Sequence, residues 1–230
     1  MNQFSGTVAN SGDNVRVEFI KKTYLHLAYA ILAFIGLEYV LLNSPVAPIL
    51  TRTMTSGMSW LIVLGVFMGV AYIADKWARS ATSKSMQYMG LGLYVVAEAI
   101  IFVPLLYIAK LYAPNIIPLA GIFTGLLFVG LTFTAFTSKK DFSFLGGMLK
   151  IGGFIALGVI VVSIIFGFSL GILFSAFMIL FASGTILYST SNIIRHYHSE
   201  QYIAAALSLF ASVALLFWYI IQLLMSLSGD

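Results

Sequence analysis

Seven apolar stretches, most of them long enough to cross the hydrocarbon core of a membrane, occupy nearly the whole of this chain. A membrane-spanning helix needs about 20 consecutive apolar residues. The stretches lie at residues 23–42, 59–74, 86–109, 115–137, 143–166, 169–190 and 201–226. The chain is 60% hydrophobic and only 9% charged, which is far more apolar than a water-soluble protein requires. The sequence predicts an all-α membrane protein, a bundle of seven transmembrane helices.

The N-terminal residues are polar and precede the first apolar stretch. That stretch starts too late and is too long for a cleaved signal peptide, so we expect it to remain as a helix. We expect residues 1–22 to form a polar tail without an apolar face, and residues 23–230 to form the transmembrane domain. The polar loops between the stretches are too short for a soluble domain.

The distribution of lysine and arginine predicts the orientation, because positively charged short loops stay in the cytoplasm. One side of the predicted bundle carries nine such residues: Arg16, Lys21, Lys22, Lys76, Arg79, Lys84, Lys139, Lys140 and Arg195. The other side carries Arg52 and Lys110. We therefore expect a cytoplasmic N-terminus and an external C-terminus in a cell (inner) membrane. The net charge of +4 lies beside the spans and gives no sign of a nucleic-acid partner.

No catalytic, cofactor-binding or metal-binding arrangement is visible in the sequence, so it predicts no enzyme, no cofactor and no metal centre. The chain has no cysteine, and the last span has no lysine for a Schiff base. Ser183 lacks a later intramembrane histidine to activate it. His196 and His198 lack a supporting carboxylate cluster.

Three ionisable side chains lie within the predicted spans, where an unpaired charge costs about 3 kcal/mol. Glu98 is near the middle of the third span, and we expect it to line a polar cavity, to be protonated, or to pair with Lys150 of the fifth span. Glu38 is in the outer part of the first span, where its carboxylate is expected to reach water or to join Glu98. Lys150 is expected to snorkel inward or to pair.

Small residues at four-residue spacing predict where helices pack closely in lipid. Such pairs are Gly65 with Gly69 and Gly121 with Gly125. In the last span, a stripe of small residues from Ala204 to Ser212 predicts a helix that neighbours pack against. Asp141 follows two lysines and is well placed to cap the next helix. Gly146 with Gly147 is expected to allow close approach of a neighbour there.

Two segments, "TSKKDFSFLGGML" at 137–149 and "ILYSTSNIIRHYHSEQYIAAALSLF" at 186–210, resemble the Bax inhibitor-1 family, and the seven-span layout agrees. Within it, "SGTILYSTSNII" at 183–194 is similar to the bacterial YccA-like branch of modulators of the FtsH protease. The resemblance implies a bundle with the last helix near its centre. It also implies a membrane-anchored AAA protease as partner and a role in membrane protein quality control.

Other members of that family resemble pH-sensitive calcium leak channels that use a pair of carboxylates. The resemblance places those positions at Ser189 and Ser212 here, where both carboxylates are replaced by hydroxyls. A cation leak is therefore the alternative function only if Glu98 takes the place of the carboxylate pair.

The turn between the last two spans carries Arg195, His196, His198 and Glu200. Histidine titrates near neutral pH, so this turn is a candidate pH sensor or partner contact. The alternative is a solvated turn with affinity for anionic lipid of the bilayer. The sequence leaves the oligomeric state open.

Overall fold

The computed structural model describes residues 7–228 and is almost entirely helical. Its helices are α1 (Asp13–Leu42), α2 (Val46–Met54), α3 (Ser59–Ala78), α4 (Lys84–Tyr112), α5 (Ile116–Thr137), α6 (Leu145–Phe166), α7 (Ile172–Arg195) and α8 (Tyr202–Ser228). Within this range, seven helices are long and apolar enough to cross a membrane: α1 and α3 to α8. The prediction of a seven-helix membrane bundle is confirmed.

The last helix, α8, lies near the centre of the bundle. It contacts α1, α3, α4, α5 and α7, and it is the most buried of the seven candidate spans described. Within the predicted stripe, Ala204 has no exposed surface and Ser212 is 6% exposed. Small side chains let neighbouring backbones approach closely, so the predicted stripe of small residues does face other helices.

The first helix begins earlier than the sequence predicted. It starts at Asp13, and Phe19 in its second turn is only 2% exposed. A 3-10 turn at Val8–Asn10 precedes it, and the fully buried Val8 donates its N–H to the carbonyl of Tyr197 at 2.9 Å. The expected polar tail therefore packs against the bundle over residues 7–22. Its first six residues lie outside the described range.

A short helix, α2, joins α1 to α3 where only a loop was predicted. Pro48 is the third residue of α2, and the first four N–H groups of a helix have no intrahelical partner. Proline is therefore tolerated there. The helix packs on α4.

Glycine spacing did not identify the close helix contacts correctly. A Cβ at Gly65, Gly69, Gly121 or Gly125 would meet nothing within 4 Å, so the prediction that these pairs are contact points is wrong. Close approach occurs instead at Gly90, which faces the backbone of α3. It also occurs at Gly146, which faces the ring of Tyr188 as expected, whereas Gly147 meets nothing within 4 Å.

One end of the bundle carries the α7–α8 turn, residues 196–201, and we call this end the hairpin face. The α3–α4 loop lies at the same end, because Lys84 forms an ion pair of 2.9 Å with Glu200. The α5–α6 loop also lies there, because Arg195 donates to the carbonyls of Lys139 and Lys140 at 3.3 Å.

Candidate functional site

Glu98 lies in the middle of α4 with 6% of its surface exposed. The hydroxyl of Tyr94, one helical turn earlier, lies close to the Glu98 carboxyl group. The i, i+4 spacing on one helix places the phenol and the carboxyl group on the same face. This face is directed toward α8, since Tyr94 also makes an edge-to-face contact with Phe210 at 6.1 Å between ring centroids.

A cavity of about 810 Å³ lies beside Glu98, between α3, α4, α6, α7 and α8, and we call it the Glu98 cavity. It runs along α8 from Ala211 to Ser226, a distance of about 22 Å at the helical rise per residue. Ser212 lines it as well, whereas Ser189 does not. One of the two positions that the family resemblance singled out thus shares a cavity with the buried carboxyl group.

The other two intramembrane ionisable residues lie away from this cavity. Lys150 is exposed on α6, and in the part of the chain that the structure describes no ion pair joins it to Glu98. Glu38 on α1 is 5% exposed, and both of its carboxylate oxygens are buried without a hydrogen-bond partner. The expectation that the Glu38 carboxylate reaches water is therefore wrong, and Glu38 does not join Glu98 in lining the cavity.

The structure brings Ser189 of α7 and Ser212 of α8 together. The hydroxyl oxygen of Ser189 lies 3.1 Å from that of Ser208 and 3.4 Å from that of Ser212. The Ser212 hydroxyl donates to the backbone carbonyl of Ser208 at 2.9 Å. These three hydroxyls satisfy one another without an ion, and they offer no negative charge to a divalent cation, which prefers several oxygen ligands including carboxylates.

A polar chain continues from these serines to α3. The hydroxyl of Tyr197 lies close to Ser208 and Arg79, the Arg79 guanidinium carbon is 5.9 Å from the Tyr197 ring centroid, and burial raises the pKa of Tyr197. Arg79 in turn donates its Nε–H to both oxygens of Asp75, at 2.8 and 2.9 Å. The sequence analysis counted Arg79 only as a loop charge. The i, i+4 spacing of Asp75 and Arg79 was the signal that could have indicated their pairing.

Asp141 connects the α5–α6 loop to the end of α7 by hydrogen bonds. Its carboxylate accepts hydrogen bonds from the Ser143 N–H and the Ser191 hydroxyl, both at 2.9 Å, and contacts His196 Nε2 at 3.2 Å. The bond from the Ser143 N–H, supported by Ser191 and His196, holds the pKa of Asp141 well below its usual range. Asp141 therefore caps the 3-10 turn Phe142–Phe144 that leads into α6, whereas the prediction had placed it at the start of the helix itself, whose N-cap is Phe144. The link to α7 is additional.

The rest of the turn is held by neighbouring segments. Glu200 is paired with Lys84, and His198 forms an isolated antiparallel β-bridge with Thr7. The α7–α8 turn is therefore tied to the N-terminal segment, to α4 and to the α5–α6 loop. Within the described residues, no group of three or more potential metal ligands occurs at this turn or elsewhere.

The central position of α8 and the meeting of Ser189 with Ser212 agree with the family resemblance of the sequence. The family model described as "Inhibitor of apoptosis-promoting Bax1" matches residues 16–229. This chain belongs to the Bax inhibitor-1 family. The match begins in the first turn of α1 and includes the other six candidate spans that the structure describes in full.

Several curated proteins are similar to this Bax inhibitor-1 family member. An uncharacterized protein of Pseudomonas aeruginosa is 33% identical over 175 residues, covering 74% of this chain and 75% of the relative. The Golgi anti-apoptotic protein of Vaccinia virus (strain Lister) is 25% identical over 230 residues, covering 96% and 90%. The modulator of FtsH protease YccA of Escherichia coli (strain K12) is 39% identical over 108 residues, covering 46% and 49%.

Proposed function

We propose that this chain binds and modulates a membrane-anchored AAA protease of the FtsH type, as a non-enzymatic protein of membrane protein quality control. The observation that carries the proposal is the similarity to the Escherichia coli modulator of FtsH protease, 39% identical over 108 residues. The hydroxyl contacts of Ser189 with Ser208 and Ser212 support it. A binding protein does not need the titratable carboxylate pair of a leak channel.

The proposal includes an orientation. Nine basic residues on the hairpin side against two on the other favour a cytoplasmic hairpin face and an external C-terminus, because basic short loops are retained inside. A similar protein of Escherichia coli O6:H1 is named an inner membrane protein, which supports placement in a bacterial inner membrane.

The hairpin face is the proposed contact surface. It carries the ion pair between Lys84 and Glu200, whose side chains are 44% and 61% exposed, and His196, which is 51% exposed. These polar groups are accessible and are fixed in position by neighbouring segments. A preformed surface loses less conformational entropy when a partner binds. The N-terminal segment before α1 is attached to the same face through Thr7 and Val8 and is proposed as part of the contact surface for the protease.

Site-specific crosslinking in native membranes, followed by mass spectrometry, tests the proposal. A photoreactive residue at Glu200 on the hairpin face is compared with one at Tyr112, which is 82% exposed at the other end of α4. We expect an AAA protease to be recovered from the Glu200 position, and turnover of a protease substrate to slow when this chain is supplied. Failure to recover a protease from either position would contradict the proposal, and equal recovery would exclude the hairpin face as the contact surface.

A second candidate function, a pH-sensitive cation leak, is favoured by one observation. The Glu98 cavity connects a mid-membrane carboxyl group to Ser212 and continues to Gln222 and Ser226 near the far end of α8. Flux of a cation such as calcium into liposomes, measured as the pH is varied, tests it. We expect Glu98→Gln to abolish such flux and Ser189→Ala to leave it unchanged. Absence of flux with the unmodified protein would rule this candidate out.

A further inference from the structure

The lining of the Glu98 cavity combines one acidic side chain with many aromatic rings. Eight aromatic side chains line it. Trp60 and Trp218 stack at 5.9 Å between ring centroids, and Phe67 lies 6.1 Å from Tyr94. Among the described residues that form this lining, Glu98 is the only carboxylate, and no lysine, arginine or histidine contributes to it.

This composition selects the charge and the size of an occupant. A buried carboxylate is stabilised by a positive charge, and the faces of tryptophan and tyrosine attract cations, organic ammonium groups in particular. An anionic occupant would find no positive side chain here. A divalent metal ion would find too few oxygen ligands, since a cluster of three potential ligands is absent from residues 7–228.

The volume and position of the cavity indicate an apolar ligand that arrives from the bilayer. At about 810 Å³, it is within the range of sites for drug-sized ligands, roughly 300 to 1,000 Å³. Helix α6 packs mainly on α7 and touches α3 only slightly. The side between α3 and α6 is therefore the least closely packed wall of the cavity. Both helices are candidate membrane spans, so we expect this side to open toward lipid.

We propose that the Glu98 cavity is a binding site for a lipophilic organic cation, with Glu98 opposite the positive charge and the aromatic side chains around the apolar body. The site is independent of the proposed protease contact, which lies at the hairpin face. It is also independent of ion conduction, because binding requires no continuous path through the bundle.

Binding of radiolabelled tetraphenylphosphonium to the purified, delipidated protein in detergent tests the proposal. The protein is immobilised for a scintillation proximity assay. The signal that remains in the presence of excess unlabelled tetraphenylphosphonium is subtracted as non-specific binding. We expect saturable binding. Tetraphenylarsonium, a cation of similar shape, should displace the label, whereas neutral triphenylphosphine oxide at the same concentration should not.

Variants then identify the site. Glu98→Gln keeps the size of the side chain and removes the charge, so we expect affinity to fall by about tenfold or more. Glu98→Asp keeps the charge and should bind within a few-fold of the unmodified protein. Glu38→Gln is the matched control, because Glu38 is also a buried intramembrane carboxylic acid but lies off the cavity. Ala211→Phe should block binding by filling the space without changing any charge.

Several results would overturn the proposal. Equal displacement of the label by neutral triphenylphosphine oxide would show that the site recognises only apolar surface. A lipid that stays bound and excludes the label would show that the cavity is a lipid site. Unchanged affinity in Glu98→Gln would remove the carboxylate from recognition. If Glu98→Gln does not fold, the competition between charged and neutral compounds on the unmodified protein decides the question alone.

Discussion

The contact between α3 and α4 at Gly90 gives a sharp test of the fold. A Cβ at this position would lie 2.5 Å from the carbonyl oxygen of Ala74 and 2.5 Å from the backbone nitrogen of Ala78. Both alanines have no exposed surface. Because the obstructing atoms are backbone atoms, no side-chain rotation relieves the clash, and α3 and α4 have to separate.

The size of the effect of Gly90→Ala follows from that geometry. Ordinary van der Waals contact begins at 3.4 Å, so the helices must separate by about 1 Å, a shift that a packed interior resists. Overpacking of this kind costs about 1 to 3 kcal/mol, and rigid backbone neighbours place Gly90→Ala at the upper end. Alanine is favoured over glycine within a helix by about 1 kcal/mol. We therefore expect a net loss of about 2 kcal/mol in the free energy of unfolding.

Gly92→Ala is the matched control, because Gly92 is exposed two residues further along α4 and has nothing within 4 Å of an added Cβ. Its free energy of unfolding should be unchanged or slightly increased. Unfolding in mixed micelles with a rising fraction of denaturing detergent, followed by tryptophan fluorescence, measures both variants. Equal stability of Gly90→Ala and Gly92→Ala would refute the close α3–α4 contact.

Three further predictions concern the rest of the chain. Asp141→Asn should lower the free energy of unfolding by about 1 kcal/mol, a modest loss because the Asp141 side chain is 39% exposed. In the unmodified protein, the stability that Asp141 contributes should be present above a pH of about 4 and be lost as the pH falls below it, because the pKa of Asp141 is lower in the folded than in the unfolded state. Phe19→Ala should cost about 3 kcal/mol or more, so thermal stability in detergent should show that residues 13–22 are part of the fold, and an unchanged melting temperature would refute this. A reporter fused after Asp230 should be active only outside the cytoplasm, and cytoplasmic activity would reverse the proposed orientation.

The number and order of the spans could be predicted from the sequence because hydrocarbon thickness sets a minimum apolar length for each helix. The start of α1 could not be predicted from the sequence. Residues 13–22 are polar enough to look like a tail, yet a few apolar side chains among them, such as Phe19, reach the bundle while their neighbours stay exposed. Hydropathy averaged over a window does not detect so narrow a packing face.

Glycine contacts illustrate a second limit of sequence reasoning. The pair Gly65 and Gly69 has the spacing of a packing motif but meets no neighbour, whereas Gly90 meets the backbone of α3. Spacing defines a stripe on one helix, but the partner helix decides whether the stripe is a contact. The orientation of Glu98 was open for the same reason, since whether its neighbour is Lys150 or a cavity depends on how α6 sits relative to α4.

The polar chain from Asp75 to Ser212 accounts for how α7 and α8 are joined without the carboxylate pair that the sequence resemblance implied for other members of the family. Arg79, directly after the end of α3, is neutralised by Asp75 in the last turn of that helix, so its charge needs no partner on α7 or α8. Tyr197 lies close to both Arg79 and Ser208, and Ser189 contacts Ser208 from α7. An acidic residue at Ser189 or Ser212 would therefore add a charge where each existing charge already has its partner. The serine hydroxyls join α7 to α8 by neutral hydrogen bonds that do not depend on pH, which suits a fixed binding protein better than a proton-gated channel.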